Sequence, residues 1–153
     1  MVTDALEEAG YTVLVATDGP AAIGVVERVT PDIVLMDALM PGMDGFETCR
    51  RIKAKPGLAN VSVIFMTGLK DTESVIKGLS AGGVDYVTKP AAPDEILARI
   101  QVHLANARLA TSAHAALDTA GRFLLAVESD GNLRWLTPQA ARLLGENSDR
   151  ERV

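Results

Sequence analysis

Short apolar segments alternate with amphipathic ones along the first two-thirds of the chain. Four of the apolar segments are rich in β-branched residues, and their apolar residues stand at consecutive positions rather than at every second one. This pattern is typical of strands that are covered on both faces of a parallel sheet. The predicted strands are residues 11–16, 32–37, 61–66 and 84–88.

The amphipathic segments between these strands predict helices. Pro20 and Pro93 suit the first turn of a helix, and the pair Gly82 and Gly83 suits the end of one. The predicted helices are residues 20–29, 45–55, 71–80 and 93 to about 108. Because strands and helices alternate through short connections, we expect an α/β fold with a doubly wound parallel sheet and right-handed crossovers.

The chain begins with a predicted helix and not with a strand. Over residues 2–10, Leu6 and Ala9 lie on one side of this helix, and Glu7 and Glu8 lie on the other. A doubly wound sheet is built from strand–helix units, so a helix at the start has no strand of its own. We therefore expect that the first strand of the domain is absent from these 153 residues.

The pattern changes after about residue 110. Two apolar segments, residues 122–128 and 133–136, flank an Asp-Gly turn, which predicts a β-hairpin. A short helix over residues 138–144 is expected to follow the hairpin. The predicted organisation is a first domain over 1–110, a linker over 111–120, a small α+β segment over 121–145 and a frayed polar tail over 146–153.

Composition excludes several classes of protein. The chain has 15 basic and 20 acidic residues, a net charge of −5, so we do not expect it to bind nucleic acid directly. No apolar run approaches the roughly 20 residues of a membrane-spanning helix, and the acidic start is unlike a signal peptide. Cys49 is the single cysteine, which excludes an internal disulfide and fits a cytoplasmic location.

Three polar residues follow the ends of three predicted strands. Asp37 ends the second strand, Thr67 follows the third, and Lys89 follows the fourth. Since the carboxyl ends of parallel strands meet at one edge of the sheet, we expect these side chains to converge there. A carboxylate is a possible nucleophile, and a hydroxyl and an ammonium group can hold the oxygens of a phosphoryl group. The sequence therefore predicts a site for phosphoryl transfer.

Three segments resemble the signature blocks of the receiver (CheY-like) domains of two-component response regulators. They are DIVLMDALMPGMDGFE (32–47), VIFMTG (63–68) and AGGVDYVTKP (81–90), and the spacing of 30 residues from Asp37 to Thr67 and 22 from Thr67 to Lys89 fits that family. The resemblance covers about residues 1–108. It implies a flavodoxin-like fold with strand order 2-1-3-4-5 and a cis bond before Pro90.

The resemblance also implies a role for individual residues. Asp37 would be the phospho-acceptor, Thr67 the switch hydroxyl, Lys89 the lysine that pairs with the phosphoryl group, and Tyr86 the aromatic residue that changes rotamer on activation. Asp37 and the backbone carbonyl of Leu39 would be ligands of a Mg²⁺ ion. The acidic pair that completes this metal site in the family lies at the end of the first strand, so it would fall upstream of this chain.

The implied partner is a sensor histidine kinase, and the face formed by residues 71–88 would be remodelled to bind a further partner, often a second receiver in a homodimer. Any contact with DNA would come from an output domain outside this chain. Residues 121–145 resemble the opening of a PAS sensory domain, and a linker hairpin docked on a neighbour is an equally good interpretation of them.

Two other functions stay open at this point. An aspartate-nucleophile phosphohydrolase uses an Asp-X-Asp pair, but Leu39 stands at the second acidic position. An interaction module that needs no phosphorylation would fit a domain without its first strand, whereas the complete set of Asp37, Thr67 and Lys89 favours phosphoryl transfer.

The remaining polar candidates are interpreted structurally. Asp44 precedes Gly45 and suits the N-cap of the following helix. Cys49 is interpreted as a packed thiol, and His103 and His114 as surface or packing residues.

Overall fold

Three parallel strands form the sheet of the first structural unit. They lie side by side in the order β1 (Ile33–Asp37), β2 (Ser62–Thr67) and β3 (Asp85–Thr88). The structure is a computed structural model of the chain, and it describes residues 1–68, 72–119, 125–127 and 133–136. The chain divides into two compact units, residues 1–105 and 106–153.

The helices over Gly19–Arg28 and Gly45–Lys53 begin where the sequence supplies a cap. Asp18 and Asp44 each accept a hydrogen bond of 2.8 Å from a backbone N–H in the first turn of their helix, which satisfies a donor that the helix itself leaves unpaired. None of the described helices combines the length and the apolar character needed to cross a membrane. The helices are α1 (Val2–Glu8), α2 (Gly19–Arg28), α3 (Gly45–Lys53), α4 (Thr72–Ser80) and α5 (Pro93–Thr119).

The sheet is covered by an apolar cluster on each face. Successive residues of a strand point to opposite faces, so Val63 and Phe65 of β2 enter one cluster, while Ile64 enters the other. The cluster around Val63 contains residues of α2 and α3, and the cluster around Ile64 contains residues of α1 and α5. The doubly wound parallel arrangement expected from the sequence is therefore confirmed.

The ring of Phe65 occupies space that two glycines leave open. It is fully buried, and its centroid lies 5.1 Å from that of Phe46. A Cβ atom on Gly83 would lie 2.7 Å from the Phe65 ring, and one on Gly78 would lie 3.1 Å from it. Since such distances are shorter than ordinary carbon contacts, the absence of side chains at both positions is what allows a phenyl ring here.

The predicted strand over residues 11–16 is wrong, because this segment forms no strand in the structure. In the part of the chain that is described, β1 pairs with β2 alone, so the segment has no neighbouring ladder to join. Tyr11 and Val13 still pack against the same cluster as Ile33, but Leu14 and Val15 are 55% and 70% exposed. A strand is defined by its hydrogen-bonded neighbour, and apolar character alone does not supply one.

Helix α5 extends to Thr119, beyond the predicted end near residue 108. The added turns are rich in alanine, the residue with the highest helix propensity.

In the second unit, the predicted hairpin is present as an antiparallel pair of β4 (Leu125–Val127) and β5 (Leu133–Leu136). The helix predicted over 138–144 and the tail over 146–153 lie outside the described residues.

Candidate functional site

The carboxyl ends of β1, β2 and β3 bring three predicted site residues to one edge of the sheet. Asp37 is in register with Met66, and Thr67 is in register with Thr88, the residue before Lys89. The backbone N–H of Lys89 donates to the carbonyl of Thr67 at 2.8 Å, which extends the ladder by one step beyond β3. The peptide bond between Lys89 and Pro90 is cis.

Asp37 and Lys89 are in direct contact. The ammonium Nζ of Lys89 lies 2.6 Å from Oδ2 of Asp37, and the backbone N–H of Leu39 donates to Oδ1 at 3.1 Å. Both charged side chains are partly exposed, so a ligand from solvent has access to the pair. An anionic group that bonded to Asp37 would meet a cation already positioned beside it.

The loop after Asp37 is held close to the strand by the start of α3. Gly45 donates from its backbone N–H to the carbonyl of Ala38 at 3.0 Å. A Cβ atom at Gly45 would lie 2.1 Å from the carbonyl oxygen of Asp37, so only glycine fits here. Asp44 accepts from the N–H of Glu47 at 2.8 Å, which supports its interpretation as the N-cap of α3.

Thr67 and Tyr86 are placed differently around this edge. Thr67 is fully buried at the end of β2, beside the Asp37 strand. Tyr86 is half-buried in β3, and a Cβ atom added to Gly78 of α4 would lie 3.4 Å from its ring. Tyr86 is therefore packed against α4.

Comparison with known proteins gives the family. Residues 1–101 match the response regulator receiver domain. The chain belongs to this family. The matched residues form a flavodoxin-like receiver domain, as the three sequence segments implied, and the observed order β1-β2-β3 agrees with the 3-4-5 part of the receiver sheet.

Among curated relatives, the receiver is 38% identical over 104 residues to the DNA-binding response regulator MtrA of Mycolicibacterium smegmatis, covering 68% of this chain and 44% of the relative. It is 41% identical over 91 residues to the response regulator PleD of Caulobacter vibrioides, covering 60% of this chain and 20% of that protein. The chain thus spans less than half the length of either relative.

Among solved structures, the receiver resembles the signal receiver domain of a signal transduction histidine kinase from Syntrophus aciditrophicus, with 32% identity and a TM-score of 0.63. That match covers 69% of this chain and 80% of the other. A CheY-like receiver domain protein from Methanospirillum hungatei gives 28% identity and a TM-score of 0.64, with 70% of this chain and 84% of the other covered.

Receiver domains generally bind Mg²⁺ at the phosphorylation site, but the donors described in this chain do not form such a site by themselves. No group of three or more His, Cys, Asp and Glu side chains is close enough to hold a metal ion within the described residues. Asp37 and the Leu39 carbonyl together offer two of the roughly six oxygens that Mg²⁺ requires.

Sequence reasoning missed a charged network at the opposite end of β3. Asp85 accepts hydrogen bonds of 3.0 and 3.1 Å from Arg99, and Nε2 of His103 lies 3.0 Å from it. Burial raises the pKa of Asp85, but hydrogen bonds from His103, the Tyr86 amide and Arg99 outweigh it and hold the pKa below its ordinary value. Arg99 and His103 are four residues apart on α5, and this spacing predicts that they share one face of the helix.

Two further residues have structural roles. Cys49 is fully buried, its thiol donates to the carbonyl of Ala81 at 3.3 Å, and burial raises its pKa against the opposing effect of Lys53 and Arg50. A thiol with a raised pKa is a poor nucleophile, so Cys49 is a packing residue. Lys53 donates to the carbonyl of Ala59 at 3.0 Å and fixes the connection into β2.

Proposed function

We propose that Asp37 accepts a phosphoryl group from the phosphohistidine of a sensor histidine kinase. The observation that carries this proposal is the 2.6 Å contact between Lys89 Nζ and Asp37 Oδ2, at an edge of the sheet where Thr67 ends the adjacent strand. A carboxylate oxygen of Asp37 attacks phosphorus, a P–O bond forms as the P–N bond breaks, and the electron pair returns to the histidine nitrogen. Lys89 and Thr67 then hold phosphoryl oxygens.

The test is labelling with acetyl phosphate in the presence of Mg²⁺, read by mass spectrometry of the intact chain and its peptides. It uses a version of the protein that is extended upstream by one strand. Asp37→Asn is expected to abolish labelling, whereas Asp32→Asn, an exposed aspartate at the other end of the same strand, is expected to retain it. Stoichiometric labelling of Asp37→Asn would refute the assignment.

We also propose that a further parallel strand pairs with the edge of β1 that β2 does not occupy. Three observations support it. Within the described residues, β1 pairs with β2 alone. The apolar segment 11–16 packs against the cluster around Ile64 but joins no strand ladder, and the apolar residues 33–35 of β1 are only half-buried. Unpaired backbone groups inside a sheet are costly, so the protein is expected to obtain this strand from sequence upstream of residue 1. Its end would bring the missing acidic Mg²⁺ ligands to Asp37.

The face formed by residues 71–88 is the proposed output surface of the switch. Ile76, Leu79 and Val84 are exposed apolar residues on it, and Tyr86 is packed beneath it against α4. When Thr67 and Tyr86 move toward the phosphoryl group, the packing under α4 changes and a partner such as a second receiver can bind. Comparing amide hydrogen exchange of α4 with and without phosphorylation tests this, and unchanged exchange would contradict it.

The wider role is proposed from the relatives. MtrA is a DNA-binding response regulator, so we propose that this receiver controls a DNA-binding output located outside the chain, in the cytoplasm. The receiver itself acts as a switch and not as a phosphohydrolase, because the apolar, 58% exposed Leu39 stands where a hydrolase needs its acid–base carboxylate. The pairing of β4 with β5 fits a PAS-like segment over 121–145 and equally well a linker hairpin. A chain extended through further strands tests the PAS-like alternative by folding independently.

A further inference from the structure

A cavity of about 270 Å³ lies between the end of α2 and the connection from α3 to β2. These two segments lead into the starts of β1 and β2, so the cavity is at the opposite ends of the strands from Asp37. At about 30 Å³ for each water molecule, it has room for about nine waters, or for a small organic molecule of similar size. Its lining consists of Val26, Glu27, Thr30, Lys55, Pro56 and Leu58.

The cavity combines an apolar floor with a charged entrance. Val26 and Leu58 are each only 5% exposed and form the floor. The side chains of Lys55 and Glu27 are 33% and 50% exposed, and the ammonium group of the first is in contact with the carboxylate of the second. A molecule that enters from solvent therefore meets one cation and one anion before it reaches the apolar residues.

The connection that forms one wall of the cavity is held by its own hydrogen bonds. The backbone N–H of Leu58 donates to the carbonyl of Lys55 at 3.2 Å, and that of Val61 donates to the carbonyl of Leu58 at 3.2 Å. The ammonium group of Lys53 donates to the carbonyls of both Ala59 and Val61. Binding pockets for small molecules are usually formed before the ligand arrives, and this wall is fixed without one.

We propose that this cavity binds a small zwitterion with an aliphatic side chain, a free α-amino acid of the size of leucine. Its carboxylate pairs with Lys55, and its ammonium group pairs with Glu27. Its side chain packs on Val26 and Leu58. Helices α2 and α3 both end beside the cavity, and the negative ends of their dipoles favour the ammonium group. The binding does not involve Asp37, so this inference does not rest on the proposed function.

The pairing of Glu27 with Lys55 is what favours a zwitterion over a simple acid or amine. A ligand with both charges replaces the ion pair and leaves each protein charge with an opposite partner. An exposed ion pair contributes little in water, so the exchange costs little. A ligand with one charge leaves either Glu27 or Lys55 without its partner. For a ligand of about nine non-hydrogen atoms we expect a Kd on the order of 1 mM.

The experiment titrates the ¹⁵N-labelled 153-residue chain with L-leucine and follows the amide resonances of Thr30 and Leu58. Saturable shifts are expected at these two amides. Glycine lacks the aliphatic side chain, N-acetyl-leucine lacks the positive charge and leucine amide lacks the negative charge, so each is expected to bind about tenfold more weakly or worse. No saturable shift with leucine, or equal affinities for all four compounds, would overturn the proposal.

Variants of the ion pair assign each end of the ligand. Glu27→Gln is expected to weaken leucine binding about tenfold without weakening that of N-acetyl-leucine, which lacks the group that Glu27 binds. Lys55→Gln is expected to weaken leucine binding similarly without weakening that of leucine amide. The matched control is Glu73→Gln, which breaks the exposed ion pair with Lys77 on α4 and is expected to leave leucine binding unchanged. Undiminished leucine binding by Glu27→Gln, or an equal loss in Glu73→Gln, would overturn the proposal.

Discussion

Replacing Gly45 with alanine would place a methyl carbon 2.1 Å from the carbonyl oxygen of Asp37 and 2.9 Å from its carbonyl carbon. Both atoms belong to the backbone of β1, so they cannot rotate away as the end of a flexible side chain could. Either the start of α3 must move away from the strand, or the end of β1 that carries Asp37 must move. The substitution therefore tests whether the contact between α3 and β1 positions the acceptor.

The magnitude follows from three contributions. Overpacking of this kind costs about 1–3 kcal/mol, and loss of the hydrogen bond from Gly45 N–H to Ala38 costs about 1 kcal/mol. Alanine recovers up to about 1 kcal/mol through its higher helix propensity. We expect the free energy of unfolding to fall by about 1–3 kcal/mol, and labelling of Asp37 to fall with it, because the carboxylate moves relative to Lys89.

The assay is urea unfolding followed by the circular dichroism of the helices, with phosphoryl labelling measured on the folded variant. The matched control is Gly24→Ala in the middle of α2, where an added Cβ meets no atom within 4 Å. That variant is expected to gain about 0.5–1 kcal/mol and to label normally. If Gly45→Ala were as stable as Gly24→Ala and labelled equally well, the positioning role of the α3–β1 contact would be refuted.

Three further predictions concern the site and its surroundings. Leu39→Asn is expected to speed dephosphorylation of Asp37 several-fold, because an amide can orient a water molecule and a leucine cannot. Slower or equal decay of the phosphorylated protein, followed by mass spectrometry, would count against this. Mg²⁺ should bind the 153-residue chain much more weakly than a version with an upstream strand, and equal affinities in a fluorescence titration would contradict the proposed strand. Asp85→Asn should cost about 1–2 kcal/mol near neutral pH. The fold lowers the pKa of Asp85, so this difference in the free energy of unfolding should be fully present above the pKa of Asp85 in the unfolded chain and should vanish as pH falls through its pKa in the folded protein. A difference in stability between the variant and the original protein that persists in acid would argue against the network.

The convergence of Asp37, Thr67 and Lys89 could be predicted from the sequence because each follows a strand, and the ends of parallel strands meet by geometry alone. The failure at residues 11–16 has the opposite cause. Those residues carry a strand-like pattern, but whether they form a strand depends on a neighbour that the pattern does not contain.

The network around Asp85 was also beyond sequence reasoning. It joins residues 14 and 18 positions apart, and their contact depends on how α5 crosses the start of β3. Helix spacing predicts that Arg99 and His103 share a face, but not which strand residue that face meets.

The way Phe65 occupies the space left by Gly78 and Gly83 constrains how this sequence can change. An alanine at position 83 would lie 2.7 Å from the Phe65 ring and 3.0 Å from the backbone carbonyl oxygen of Gly78, so a smaller residue at position 65 would remove the larger of the two obstacles. The two substitutions should therefore be non-additive, with the pair less damaging than the sum of the two changes made alone. Position 83 acquires a side chain more easily once position 65 has become smaller, so homologous sequences are expected to change the two positions together.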